Sequence, residues 1–196
     1  MGNILRSIAV FCGSSYGKNP VYEKAAVELG AFLAGAGIRL VYGGASVGLM
    51  GAVADGALRN GGEAVGILPA ALRDKEIAHE KLSRLVWTET MHERKALMYE
   101  SADGIISLPG GFGTLDETFE ALTWGQLGIH TKPVGLLNLG GFYDPLLEML
   151  DRMTAEGFLK QVNRDMLITG SSASGLIKAM EEYIPPSEGK WIGKHP

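Results

Sequence analysis

Short apolar runs alternate with longer stretches of helical period along most of the chain. Ser7 to Cys12 (SIAVFC) is the first run and stops at Gly13-Ser14-Ser15; from Pro20 to Ala36, Ala25, Leu29, Phe32 and Leu33 fall on one helical face. The spacing predicts a strand, a loop and a helix. The unit then recurs: strand Arg39 to Tyr42, Gly43-Gly44, helix Leu49 to Asn60, Gly61-Gly62, and strand Ala64 to Leu68 stopped by Pro69. Beyond it the pattern predicts strand Leu82 to Thr88, helix Met91 to Ser101, strand Gly104 to Leu108 and helix Thr114 to Leu127. Strand Val134 to Leu139, helix Tyr143 to Ala155, strand Met166 to Thr169 and helix Ala173 to Tyr183 complete the series.

About seven strands of near-continuous apolar content, separated by amphipathic helices, call for a mostly parallel sheet covered on both faces, because parallel neighbours need helical crossovers. The expected fold is α/β, Rossmann-like and doubly wound. Ligands of such sheets bind outside the carboxyl ends of the strands. The turns after the first, second and Ile105 strands should therefore converge on one cleft. Residues 1–184 are read as one domain, since a chain of 196 residues is close to the prior of about 150 per domain. The stretch Pro185 to Pro196 has no period and is expected to be a frayed tail.

Composition narrows the partners. Eighteen basic against 22 acidic side chains give a net charge of −4 with no Lys/Arg cluster, which argues against nucleic acid. The first apolar run is shorter than a signal-peptide core or a membrane span, and Arg6 stands where a myristoylation signal needs Ser or Thr. No membrane association is expected. Cys12 is the only cysteine, so no intramolecular disulfide can form, and a cytoplasmic location is the expectation. His79, His92, His130 and His195 lack paired ligand spacing, so no metal and no cofactor is expected. Cys12, at the end of a buried strand without a partner base, reads as a packed apolar residue.

The strongest chemical signal is the turn Leu108-Pro109-Gly110-Gly111-Phe112-Gly113-Thr114-Leu115-Asp116-Glu117, which leaves a strand and opens a helix. Backbone N–H groups at such a point face an anion, and three glycines let a phosphate approach without Cβ contact. Thr114 can donate its hydroxyl or cap the helix. Gly-rich turns of this kind also serve tight packing alone. Glu117, one turn into the helix, can face the same cleft or simply complement the helix dipole.

Two further segments belong to the same end of the sheet. Met91-His92-Glu93-Arg94-Lys95 opens the preceding helix, and its adjacent cations suit a phosphorylated substrate, although from spacing alone such a run is more often a solvated face. Tyr42-Gly43-Gly44-Ala45-Ser46-Val47-Gly48-Leu49-Met50-Gly51 repeats the Gly-rich turn after the second strand, but lacks the Gly-Lys-Ser/Thr of a P-loop. Gly43, Gly44, Gly110 and Ser14 are thus candidate substrate contacts, with helix capping the other role for Ser14 and Ser15.

The two motifs Met91 to Lys95 and Pro109 to Glu117 together closely resemble the signature of the LOG ("lonely guy") family of cytokinin riboside 5′-monophosphate phosphoribohydrolases. Phe11 to Ser15, Tyr42-Gly43-Gly44 with Gly48 to Gly51, Thr123 to His130 and Lys132 to Asn138 look like that family too, so the resemblance runs from about Ser7 to Leu159. It implies that Arg94 and Glu117 are catalytic, and that Glu76, Lys95, the turn Gly111, Phe112, Gly113, Thr114 and Leu115, and Thr123 bind substrate. Asp116 stands where Glu is usual and Gly125 where Ala is usual; neither disturbs the catalytic pair. The label lysine decarboxylase, also attached to such proteins, fits poorly, since no Schiff-base lysine with a large cofactor cleft is legible.

The activity so implied is hydrolysis of the N-glycosidic bond of an N6-substituted adenosine 5′-monophosphate, and of AMP as a further substrate, to free base and ribose 5-phosphate. Glu117 would stabilise an oxocarbenium-like ribose and orient water, while Arg94 would hold the phosphate or polarise the purine. A deoxyribosyltransferase-like enzyme and a non-catalytic nucleotide-binding module are the competing readings. Leu115, Phe119, Leu122, Trp124 and Leu127 give one helix more apolar surface than a single face needs, so a homodimer is expected. Met149 and Met153 with Leu146 and Leu150 read as core at helical spacing.

Overall fold

Strands and helices alternate along most of the described chain in the computed structural model, which describes residues 3–75 and 78–186, with backbone only at 73–75. Glu76 and the tail from 187 onward, His195 included, lie outside the described residues. The elements are β1 (Ser7–Phe11), α1 (Val21–Gly35), β2 (Arg39–Tyr42), α2 (Gly48–Arg59), β3 (Ala64–Pro69), β4 (Arg84–Thr88), α3 (Met91–Glu100), β5 (Gly104–Ser107), α4 (Phe112–Gln126), β6 (Val134–Leu137), α5 (Asp144–Ala155), α6 (Gln161–Arg164), β7 (Leu167–Gly170) and α7 (Ala173–Glu181). A 3-10 segment, Ala70–Lys75, follows β3.

Among the described residues all seven strands are parallel, in the order β4-β3-β2-β1-β5-β6-β7. The fold is the doubly wound, Rossmann-like sheet expected from the alternation. Side chains alternate through it. Ile8, Val10, Leu40, Tyr42 and Ile106 enter one core with α1, α2 and α7, whereas Ala9, Phe11, Val41, Ile105 and Leu136 enter the other with α3, α4 and α5. The winding reverses at β1, whose neighbours are β2 and β5, and this switch point is where such sheets open a crevice for ligands.

Glycines do more than make turns. A Cβ on Gly30 would lie 2.1 Å from the Val53 carbonyl oxygen, and one on Gly56 would lie 2.3 Å from that of Val27. The two glycines let α1 and α2 cross backbone to backbone, a role that strand-to-helix spacing does not reveal.

Other departures from expectation are local. The 3-10 segment and α6 are too short to leave a period, and β4 begins at Arg84 rather than Leu82. Met149 is half exposed, so it is not part of the core stripe. The inward face of α5 runs through Leu146, Leu150 and Met153, spaced four and three residues apart, and Met149 falls at its edge. Helix α3 carries a cap that fixes its start: Thr90 Oγ1 accepts from the Glu93 N–H at 3.1 Å, and the Glu93 carboxylate accepts from the Glu89 N–H at 2.8 Å.

The candidate active site at the switch point

Three turns meet at the carboxyl ends of β1, β2 and β5. The Gly13 N–H donates to the Pro109 carbonyl at 3.0 Å and the Gly13 carbonyl accepts from the Leu49 N–H at 3.1 Å, so the first turn is tied to both others. Gly48 has φ of +58°, and a Cβ there would sit 2.3 Å from the Ser14 backbone. Only glycine allows that approach. Ser14 and Ser15 are exposed and cap nothing: α1 begins at Val21, whose N–H donates to Asn19 Oδ1. Gly13, Ser14, Tyr16, Tyr22, Gly111 and Phe142 border an open cleft of about 340 Å³ here.

The glycines of the Pro109–Thr114 turn divide into two kinds. A Cβ on Gly110 would lie 2.1 Å from the Thr114 hydroxyl, so Gly110 makes room for a buried threonine. Thr114 therefore sits inside α4 and is not its cap; the N-cap is Gly111 and has no side-chain partner. Gly111 and Gly113, by contrast, would meet nothing within 4 Å, and neither has a positive φ. Internal packing does not call for glycine at either place, whereas a ligand close to the backbone does. The opening N–H groups of α4, at Phe112, Gly113 and Thr114, precede the first bond of the helical ladder, from Leu115 N–H to Gly111 carbonyl. Phe112 itself points to solvent, 96% exposed.

Arg94 and Glu117 come together beside this turn. Arg94 Nη1 donates to Glu117 Oε1 at 2.9 Å, with side-chain exposures of 11% and 12%. Arg94 Nε donates to the Ile67 carbonyl at 3.0 Å, which fixes the guanidinium between β3 and α4. A Cβ on Gly43 would lie 2.4 Å from Arg94 Nη2, so Gly43 is the opening through which the guanidinium passes. Gly44, at φ +76°, instead turns the chain and accepts from the His79 N–H at 2.9 Å. Arg94 and Lys95 thus face inward and do not form a solvated surface.

Burial pushes the Glu117 carboxyl above the ordinary glutamate value; Arg94 pulls against this, Asp116 adds to it and Lys95 opposes it. Burial, helped by the nearby Glu117 charge, raises the Cys12 thiol far above its ordinary range, which keeps it protonated and unreactive. Lys95 Nζ lies 3.1 Å from Asp116 Oδ2 and 3.0 Å from Glu120 Oε2. Burial works against its charge, but those two carboxylates outweigh it and hold the ammonium above its ordinary value.

Thr123 is not brought to the pair. It is six residues beyond Glu117, about 9 Å along α4 and some 240° round it, and it borders an apolar groove with Phe119, Leu150, Met153, Leu159 and Leu167. Leu115 packs against the core of the α4 face. Sequence reasoning missed Tyr99, whose hydroxyl donates to the Glu117 carbonyl at 2.6 Å, and Tyr143, whose hydroxyl donates to the Leu108 carbonyl at 2.6 Å just before the Gly-rich turn. The signal for Tyr99 was its place four residues after Lys95, on the same helical face.

Fold and site together define a doubly wound α/β protein with a buried arginine–glutamate pair beside an open, glycine-lined helix N-terminus. The family model described as "Possible lysine decarboxylase" matches residues 50–180. The chain is 47% identical over 183 residues to the cytokinin riboside 5′-monophosphate phosphoribohydrolase LOG of Oryza sativa subsp. japonica, covering 93% of this chain and 76% of that one. It is also 47% identical over 180 residues to LOG2, of the same description, from Arabidopsis thaliana, covering 92% and 84%. Among solved structures, a molybdenum cofactor binding protein from Rippkaea orientalis superposes with a TM-score of 0.69 at 26% identity, over 90% of this chain and 95% of that one. The chain belongs to the LOG family, which the family model covers under its decarboxylase description.

Proposed function

We propose that the protein hydrolyses the N-glycosidic bond of an N6-substituted adenosine 5′-monophosphate, giving free base and ribose 5-phosphate. The observation that carries this reading is the buried Arg94–Glu117 pair set next to Gly111 and Gly113, whose Cβ positions are open. The relatives named above supply the substrate class; the side chains supply the chemistry. The substrate phosphate sits on the N–H groups of Phe112, Gly113 and Thr114, where the helix dipole adds attraction.

Glu117 then faces the ribose. As the bond from C1′ to the purine nitrogen breaks, positive charge spreads over C1′ and the ring oxygen, and the Glu117 carboxylate stabilises it. Water, directed by the same carboxylate, adds its oxygen to C1′ and gives up one proton to that carboxylate. One proton passes to the departing purine nitrogen, so that the OH and H of one water end on ribose 5-phosphate and the free base. Arg94 spends Nε on Ile67 and Nη1 on Glu117, so it orients the carboxylate first, with Nη2 above Gly43 left to polarise the leaving base.

A homodimer belongs to the same proposal. The groove at Thr123, lined by Phe119, Leu150, Met153 and Leu159, has the apolar character of a surface that a second copy covers, and covering it would bring Thr123 to a site. The lone, buried Cys12 fits a cytoplasmic setting.

The test is incubation with isopentenyladenosine monophosphate and with AMP, with and without an excess of a second purine base, followed by chromatography. Free base and ribose 5-phosphate in both conditions support the hydrolase. A new nucleotide formed with the added base would make it a transferase. Binding of either nucleotide without release would make it a non-catalytic module, the reading that its likeness to a cofactor-binding protein keeps in view.

A further inference from the structure

The catalytic pair is split between two helices whose backbones approach each other little: Arg94 is on α3 and Glu117 on α4. Side chains make the connection instead. On α3, Arg94, Lys95, Met98 and Tyr99 share the inward face, at the i, i+1, i+4 and i+5 positions. On α4, Asp116, Glu117, Glu120 and Trp124 answer them. Lys95 bridges Asp116 and Glu120, one turn apart, and Glu120 Oε2 also lies 3.4 Å from the Tyr99 hydroxyl.

Tyr99 reaches the main chain of α4 itself. Its hydroxyl donates to the Glu117 backbone carbonyl at 2.6 Å, its ring meets Phe11 of β1 edge-on at 5.7 Å, and Trp124 packs at 4.9 Å on a tilt. The Lys132 ammonium donates to its carbonyl. The residue is therefore fixed from β1, from the loop before β6 and from α4, and it holds the main chain of the very residue whose side chain pairs with Arg94.

We propose that Tyr99 is a positioning residue for the hydrolysis: through the Glu117 carbonyl it sets the height and rotation of α4 that keep the Glu117 carboxylate on Arg94. This rests on the functional reading above and deepens it. Without the hydroxyl, Glu117 gains freedom relative to Arg94, and the ionised carboxylate loses part of the interaction that favours it.

The test is Tyr99→Phe in the full chain, which keeps the ring contacts with Phe11 and Trp124 and removes only the hydroxyl, with its short bond to the Glu117 carbonyl and its longer one to Glu120. Tyr143→Phe is the comparison, since it loses an equally short hydroxyl-to-carbonyl bond, to Leu108, with no contact to Glu117. Turnover of Tyr99→Phe should fall about tenfold with KM changed less than twofold, as expected for a catalytic group misplaced by a fraction of an ångström. Carbon-13 NMR of the Glu117 carboxyl in the free protein should show its titration midpoint moved to higher pH in Tyr99→Phe and unmoved in Tyr143→Phe. An unmoved midpoint in Tyr99→Phe, or equal movement in both variants, overturns the proposal whether or not the protein turns over nucleotide. Base release absent from the wild type while the midpoint still moves would contradict the hydrolase reading and leave the positioning role standing.

Discussion

Arg94 and Glu117, 23 positions apart in sequence, meet at 2.9 Å with little solvent on either side chain. Neither could be buried alone at acceptable cost, because an unpaired buried charge is strongly disfavoured. Their pairing is paid for by Gly43, which clears the space, and by Ile67, whose carbonyl takes a second hydrogen bond from Arg94.

Gly43→Ala tests that arrangement. Gly43 has no positive φ, so alanine suits the backbone, but its methyl group would lie 2.4 Å from Arg94 Nη2. Turnover should drop by about tenfold or more through displacement of the guanidinium. Gly35→Ala, in open space, should leave turnover unchanged. Equal activity in both variants would show that the guanidinium position does not matter.

Gly113→Ala separates folding from binding. In the first turn of α4, with nothing within 4 Å, alanine should raise stability by about 0.4–1 kcal/mol through loss of unfolded-state freedom. KM for the nucleotide should nevertheless rise severalfold, because the methyl group would occupy the approach proposed for the phosphate. Thermal unfolding and steady-state kinetics on the same sample check both signs; a stabilised variant with wild-type KM would place the phosphate elsewhere.

The pH dependence follows from Glu117. Its carboxyl is held above the ordinary glutamate value of 4.5 by burial, and in the mechanism proposed for it the ionised form is the one that acts. Turnover should therefore rise with pH and reach half its plateau above 4.5, and Arg94→Gln should push that acid limb higher still while lowering the plateau. For stability the sign is opposite: the raised carboxyl favours the fold fully below the ordinary glutamate value, and this contribution is lost as pH rises through the folded-state value. An acid limb at or below 4.5 would remove Glu117 from the role.

Tyr42 is fully buried, and its hydroxyl has no hydrogen-bond partner among the described residues. Tyr42→Phe should stabilise the protein by roughly 1 kcal/mol, by relieving an unsatisfied buried group. Chemical denaturation measures it; a loss of stability would mean that the hydroxyl has a partner.

Much of this architecture was legible from periodicity, because parallel strands are uniformly apolar and their helices are long enough to show a face. Ser7 to Cys12 and Gly104 to Leu108 announced the central strands within a residue. Ala70–Lys75 and α6 were hidden by their shortness. At the site, the turn from Pro109 to Glu117 declared itself through its glycines, yet not which glycine packs and which stands open. Gly110 and Gly113 look alike until Thr114 is seen against the first. Tyr99 was harder to read for a related reason: spacing puts it on the Lys95 face, but its partner is the carbonyl of Glu117, and backbone acceptors leave no mark on sequence.

The most direct test of the account compares the wild type with Glu117→Gln, measuring base release from isopentenyladenosine monophosphate alongside binding of the same nucleotide. Loss of about 10²–10³-fold in turnover with binding kept is the predicted result, since the amide fills the space but can neither stabilise the charged ribose nor direct water. Turnover in Glu117→Gln close to that of the wild type would contradict the assignment of Glu117 as the group that acts on the ribose.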